Sequence, residues 1–110
     1  MTLYEAAATG DVVELRRLVA AGAEVNELDA NGRTALQYAA HNGHVEVIKL
    51  LVEMGADKEA KTADGMTALH QATGKGHLEA IKLLVQLGVN KEAKNDYGGT
   101  PLHLAAGNGH

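Results

Sequence analysis

Cysteine, serine, phenylalanine and tryptophan are all missing from this 110-residue chain, and proline occurs once. Without cysteine, the chain can form neither a disulfide framework nor a thiolate metal site. Without serine and cysteine, it lacks the two commonest catalytic nucleophiles. Aromatic residues make up only 3% of the sequence, although 45% of it is hydrophobic. We therefore expect a core of small aliphatic side chains, which suits closely packed helices.

Clustered positive charge and long apolar runs are missing as well. The formal net charge is -4, whereas a nucleic-acid-binding domain needs clustered lysine and arginine for its phosphate contacts. No apolar run approaches the ~20 residues that a membrane-spanning helix requires. Residues 1–5 have neither the basic stretch nor the apolar segment of a secretory signal. We expect a soluble intracellular protein, cytoplasmic or nuclear, that binds neither nucleic acid nor membrane.

The chain does contain a 33-residue period, which is visible in its glycines. Ten of the thirteen glycines fall on three ladders of this spacing: Gly10, Gly43, Gly76 and Gly109; Gly22, Gly55 and Gly88; Gly32, Gly65 and Gly98. A unit of this size cannot bury an apolar face alone, so the period predicts stacked units that share one elongated core. Such a fold places function on a surface rather than in a pocket.

Each unit begins with the pattern of a short helix. Threonine, a favourable N-cap, stands before this helix at Thr34, Thr67 and Thr100. Thr34 and Gln37 also form a capping-box pattern, and Pro101 suits the first helical position because its missing N–H costs nothing there.

A second helix is predicted in each unit by apolar residues at helical spacing, over 45–52 and again over 78–87. We expect Gly55 and Gly88 to end these helices with a left-handed cap. Tight-turn dipeptides separate the units at Asn31-Gly32, Asp64-Gly65 and Tyr97-Gly98.

The 33-residue unit, with Thr-Pro-Leu-His-Leu-Ala at residues 100–105, resembles the ankyrin repeat. The two other copies depart slightly, with Ala35 and Ala68 in place of proline and Gln37 in place of histidine. The resemblance covers essentially the whole chain. It implies an all-α ankyrin repeat solenoid, in which helix-turn-helix units with β-turn tips are stacked.

The resemblance also implies how the single domain of residues 1–110 is divided. The expected units are an N-terminal capping repeat (1–28), two full repeats (29–61 and 62–94) and a partial repeat with its first helix only (95–110). Glu5, Glu14 and Arg17 occupy positions that are largely apolar in later units, as a solvent-facing terminal repeat needs.

The other end of the array lacks such a cap. The chain stops at His110, where the second helix of the last unit should begin. We expect Leu102, Leu104 and Ala105 to present an apolar face. This face would fray, be covered by a neighbouring molecule through self-association, or belong to a longer parent protein.

The six histidines are tempting as metal ligands, because His41 and His44 have ligand-like spacing. The repeat gives most of them structural positions instead. The resemblance implies that His70 and His103 make structural hydrogen bonds, and His44, His77 and His110 all follow the glycine between two helices. Only His41 lies outside the pattern, and we expect no metal site.

No other residues form a catalytic or cofactor-binding pattern. The turn at residues 73–76 lacks the leading glycine spacing of a phosphate loop and the Ser or Thr after its lysine. Acidic residues alternate with lysine over 58–61 and 91–94, which is typical of a solvated face. We expect a protein without cofactor that is not an enzyme.

Binding of a protein partner remains, and the resemblance implies that the turn tips and the exposed ends of the first helices provide the contacts on a concave face. The corresponding residues are Ala30, Asn31, Arg33, His41, Asn42, Ala63, Asp64, Met66, Lys75, Asp96, Tyr97, Gly99 and Asn108. Tyr97 and Met66 are prominent because apolar residues at turn tips have no evident packing role, and aromatic residues and arginine tend to anchor interfaces. The alternative is that tips tolerate almost any residue.

A modification site is implied by the resemblance as well. Leu18 lies eight residues before Asn26, and Glu24 and Val25 directly precede it. This pattern is similar to the site that asparaginyl hydroxylases modify in ankyrin repeats. Alternatively, Asn26 serves only as a turn residue.

Two alternatives to a simple binding module stay open. An engineered or consensus-derived ankyrin scaffold would also show close repeats and no cysteine. A regulatory or targeting fragment of a larger enzyme or channel would fit the open end at His110.

Overall fold

The structure, a computed structural model, describes residues 1–102. It contains six complete helices: α1 Leu3–Thr9, α2 Val12–Ala20, α3 Ala35–His41, α4 Val45–Glu53, α5 Ala68–Lys75 and α6 Leu78–Gln86. Pro101 and Leu102 are again helical, and this part of the chain has no strand. None of its helices is long and apolar enough to cross a membrane.

The helices form two layers. In the inner layer α1 packs on α3 and α3 on α5, whereas in the outer layer α2 packs on α4 and α4 on α6. Ala6, Ala39 and Ala72 occupy the same position in successive units and are fully buried in the inner layer, where their small side chains let the helices approach closely. Ile48 and Leu51 are fully buried in the outer layer. The expected aliphatic core is therefore confirmed.

The inner helices begin with a threonine N-cap whose side chain accepts a backbone N–H, as the sequence predicts for α3 and α5. Capping boxes pair Thr2 with Glu5, Thr34 with Gln37 and Thr67 with His70. Each box satisfies two backbone donors that a helix start would otherwise leave unpaired.

The outer helices end at glycine, as expected. After α4, Gly55 has a φ of +97°, its N–H donates to the Val52 carbonyl at 3.1 Å, and the Ala56 N–H donates to the Leu51 carbonyl at 2.9 Å. This is the hydrogen-bond pattern of a Schellman motif. All glycines of the three ladders within residues 1–102 have positive φ, so the 33-residue period marks backbone positions that favour glycine.

The two ends of the described stack differ in polarity. Glu14 and Arg17 form an ion pair on α2, with 3.0 Å between Arg17 Nε and Glu14 Oε2. Val47 and Leu50, one period later, are buried. At the other end Leu102 is 76% exposed, whereas Leu104 and Ala105 lie outside the described residues. The repeat boundaries themselves stay a prediction.

Candidate functional site

Three equivalent loops, 29–33, 62–66 and 95–99, precede the inner helices and are called the tip loops below. In the first and third, the side chain of the first residue holds the loop. Asp29 Oδ1 accepts the N–H groups of the third and fifth residues at 2.9 and 3.0 Å. Asn95 Oδ1 accepts the equivalent bonds at 3.0 and 2.8 Å. Asp and Asn side chains stabilise turns in this way, so the tip loops have a defined backbone.

Buried polar side chains fix the second and third tip loops to the helix starts beneath them. His70 Nδ1 accepts the N–H of Thr67 at 3.0 Å, so Nε2 carries the proton and donates to the Gly99 carbonyl at 2.9 Å. Gln37 makes the same kind of bridge, because its Oε1 accepts the N–H of its own N-cap and its Nε2 donates to the Met66 carbonyl at 3.2 Å. The structural role expected for His70 is confirmed, and His103 lies outside the described residues.

The histidines that follow the inter-helix glycines join neighbouring units. His44 Nε2 donates to the Ala8 carbonyl at 2.8 Å, and His77 Nε2 donates to the His41 carbonyl at 2.9 Å. Both bonds run back to the end of the preceding inner helix. These histidines are therefore structural, as their register predicts, and His110 lies outside the described residues.

His41 stands on the exposed side of α3 and contacts α5. Its Nδ1 lies 3.0 Å from Gln71 Oε1, and Lys75 follows one turn later on α5. The neighbouring Asn42 donates from Nδ2 to the Tyr38 carbonyl at 3.1 Å. Within residues 1–102, no group of three or more histidine and acidic side chains is placed to hold a metal ion.

Arg33 and Tyr38 form a side-chain cluster with Asp29 on this surface. The Arg33 guanidinium lies 5.9 Å from the centroid of the Tyr38 ring, and the Tyr38 hydroxyl donates to Asp29 Oδ2. The Tyr4 and Tyr38 rings contact each other in a tilted arrangement, with 6.0 Å between the ring centroids. The bond from Tyr38 and the loop N–H groups lower the pKa of Asp29, and the same bond raises the pKa of Tyr38. Asp29 is held ionised, and the aromatic ring is held in place.

Tyr38 and Asp29 are functional candidates that the sequence did not single out. Asp29 comes two residues before Asn31, a spacing that is typical of an Asx turn. Tyr38 comes three residues before His41 and therefore shares its face of α3. These local signals were available in the sequence, but the contact between loop and helix was not.

Most residues predicted for binding are accessible. Those that are exposed are Ala30, Asn31, Asn42, Ala63, Asp64, Lys75, Asp96 and Tyr97. Those that are half-buried are Arg33, His41, Met66 and Gly99. Asn108 lies outside the described residues. Tyr97 is 86% exposed, which makes it the most prominent apolar side chain of the tips.

Met66 differs from the sequence expectation. It is half-buried, and its Sδ accepts a hydrogen bond from Asn95 Nδ2 at 3.4 Å. Because this contact joins two consecutive tip loops, Met66 has a packing role that the sequence did not predict.

Asn26 bridges two loops with both ends of its side-chain amide. Its Nδ2 donates to the Gly55 carbonyl at 3.1 Å, and its Oδ1 accepts the Asp57 N–H at 2.7 Å. The residue is exposed and has a structural role between units. Its hydroxylation stays a prediction.

The mixed-charge runs behave largely as a solvated face. They border a depression of about 440 Å³, lined by Glu59, Lys61, Thr67, Asn90, Glu92, Ala93 and Lys94. The glutamates and lysines of this lining are exposed. Lys58 has a structural role, because its Nζ donates at 2.7 Å to the carbonyl of Leu87 at the end of α6.

Comparison with curated proteins finds no significant match. A family model described as ankyrin repeats in many copies matches residues 3–52, and one described as ankyrin repeats in three copies matches residues 55–110. Ankyrin repeats are generally protein-interaction modules, and the family is typically non-catalytic. With its stacked helix pairs and its family matches, the chain belongs to the ankyrin repeat family and folds as an all-α ankyrin repeat solenoid.

Proposed function

We propose that this protein is a non-catalytic interaction module that binds a protein partner through its tip surface. The tip surface consists of the tip loops 29–33, 62–66 and 95–99 together with the half-buried Tyr38 and His41 of α3, the exposed Asn42 that follows α3, and the exposed Lys75 of α5. The partner contacts on it are those predicted from the sequence, with Tyr38 added.

The observation that carries the proposal is the exposure of Tyr97 on a loop whose backbone is fixed. Asn95 Oδ1 accepts the Tyr97 N–H within this loop, and His70 Nε2 donates to the Gly99 carbonyl of the same loop. The Asp96 N–H donates to the Asp64 carbonyl of the preceding tip loop at 2.9 Å. An ordered loop loses little conformational entropy on binding, and tyrosine is enriched among interface anchors. Tyr97 is therefore well suited to fill a cavity on a partner.

The tips also lie in register along the stack, because the same turn recurs once in every unit. Exposed side chains on consecutive tips, such as Asn31, Asp64 and Tyr97, occupy equivalent positions of this turn. An extended partner segment can contact them one after another, so specificity can arise from their differences.

Replacing Tyr97 with alanine tests the proposal. Val13 provides a matched control, because it is 78% exposed but stands on α2 in the outer layer. We expect Tyr97→Ala to weaken binding of the captured partner by about tenfold or more, which corresponds to at least ~1.4 kcal/mol. Thermal unfolding should be unchanged, and Val13→Ala should change neither quantity.

Immobilised wild-type protein and both variants are used to capture partners, which are quantified by mass spectrometry. The affinity of each captured partner is then measured for all three proteins. Equal partner binding by wild type and Tyr97→Ala would contradict the proposal. So would a loss of binding in Val13→Ala alone.

The proposal includes an intracellular setting and a protein partner, without cofactor, nucleic acid or membrane. These remain predictions from the sequence. Self-association through the face at Leu102 likewise stays a prediction, which sedimentation of the purified chain would test.

A further inference from the structure

Arg33 contacts its surroundings through both its backbone and its guanidinium. Its backbone N–H donates to Asp29 Oδ1 at 3.0 Å, and its guanidinium lies 5.9 Å from the centroid of the Tyr38 ring. Tyr38 is in turn fixed by its bond to Asp29 and by the ring of Tyr4. A guanidinium on an aromatic face is favourable in energy and restricted in orientation.

No carboxylate of the described chain lies within ion-pair distance of this guanidinium, although its charge contributes to lowering the pKa of Asp29. The ion pairs within residues 1–102 join Arg17 to Glu14 and Lys82 to Glu79, and no hydrogen bond engages the Arg33 side chain there. The neighbouring Asp29 already uses both of its oxygens, because Oδ1 accepts two loop N–H groups and Oδ2 accepts the Tyr38 hydroxyl. The protein therefore orients this cation without pairing it.

The N–H groups of the Arg33 guanidinium are best matched by a carboxylate on a ligand. A guanidinium can stack with its face and at the same time donate two parallel N–H bonds in its plane, which match the two oxygens of a carboxylate. A phosphate group carries more negative charge and is bound best by several clustered cations. Arg33 instead stands beside the ionised Asp29, whose negative charge disfavours a doubly charged ligand more than a singly charged one.

We infer that the partner segment seated on tip loop 29–33 presents an aspartate or glutamate, whose carboxylate accepts hydrogen bonds from Arg33. This inference rests on the proposed function and adds the chemistry of one partner residue to it. The neighbouring Tyr38 ring contributes by positioning the cation before the partner arrives.

The probe is a library of random linear peptides displayed on phage and selected on the wild-type protein. Arg33→Gln removes the charge and Arg33→Lys keeps it without the planar fork, while Arg16→Gln removes an exposed arginine of α2 as a matched control. We expect the peptides that compete for the tip surface to share Asp or Glu at one aligned position. Their affinity should fall about tenfold in Arg33→Gln, less in Arg33→Lys, and stay within about twofold in Arg16→Gln.

A double-mutant cycle tests most directly whether Arg33 pairs with the acidic residue of the peptide. Changing the shared peptide Asp or Glu to its amide should weaken binding to wild type but cause no further loss in Arg33→Gln. Thermal unfolding of the Arg33 variants should match wild type, because the backbone bond to Asp29 remains.

The outcomes separate the inference from the proposed function. Peptides whose binding needs Tyr97 but which share no acidic residue would overturn the inference and leave the function standing. A preference for phosphoserine over glutamate in the same peptide would also overturn it. Failure to select any peptide that depends on Tyr97 or Arg33 would count against both.

Discussion

Three different side chains perform one hydrogen-bonding task at equivalent positions of successive units. Tyr4 donates from its hydroxyl to the Glu27 carbonyl, Gln37 from Nε2 to the Ala60 carbonyl, and His70 from Nε2 to the Gly99 carbonyl, each at 2.9 Å. All three secure the loop that follows the outer helix of their own unit. The position requires a donor of suitable reach rather than one residue type.

His70 therefore tolerates glutamine better than an apolar residue. His70→Gln keeps an acceptor for the Thr67 N–H and a donor for the Gly99 carbonyl, as Gln37 shows one period earlier. His70→Leu leaves the buried Thr67 N–H without a partner, which costs on the order of 1–3 kcal/mol, whereas the Gly99 carbonyl keeps its bond from the Asn95 N–H. Chemical denaturation should give a small loss of stability for glutamine and a larger loss, of at least about 1–3 kcal/mol, for leucine. If the two variants lost equal stability, hydrogen bonding would not explain this position.

At the level of helices and turns, the glycine that follows an inner helix and the glycine that follows an outer helix have different roles. Gly43 follows α3, and Gly55 follows α4. Gly43 has a φ of +72°, and a Cβ built on it would lie 2.7 Å from Nδ1 of His77 in the next unit. Gly55 also has a positive φ, +97°, but a Cβ there would meet no atom within 4 Å. Both positions favour glycine for their backbone, but only Gly43 makes room for a bond between units.

Alanine at the two positions separates these roles. Gly55→Ala should cost ~1–2 kcal/mol, because a left-handed backbone is unfavourable for a residue with a Cβ. Gly43→Ala carries the same strain and must also displace the His77 ring, so its loss should be larger by on the order of 1 kcal/mol or more. Urea unfolding of the two variants provides the comparison. Equal losses would mean that the ring moves aside without cost.

Local features of the helices and turns were predictable from the sequence, because caps and turns depend on neighbouring residues. The start of α1 is an instructive exception. The period places Met1 at the N-cap position, but methionine has no suitable acceptor, so Thr2 caps the helix one residue later. The Tyr38 contact with Asp29 and the Met66 contact with Asn95 were not predictable, since they depend on distances between elements.

Across the whole molecule, burial differs between the middle and the end of the described stack. In α4, Ile48 and Leu50 are buried, whereas Ile81 and Leu83 at the same positions of α6 are half-buried. Contacts run between neighbouring helix pairs, as expected for a solenoid whose units stabilise one another. This arrangement keeps the tip loops in register and leaves their outward side chains free for a partner.

The tip surface and the outer layer of helices are two separate faces of the described stack, and of these only the first is expected to bind. Backbone amide chemical shifts of the isotope-labelled protein, measured with and without the partner that wild type captures, test this claim most directly. We predict shift changes concentrated in residues 29–33, 62–66 and 95–99 and in the accessible positions Tyr38 and His41 of α3 and Lys75 of α5. Changes confined to α2, α4 and α6, with the tip loops unaffected, would contradict the account.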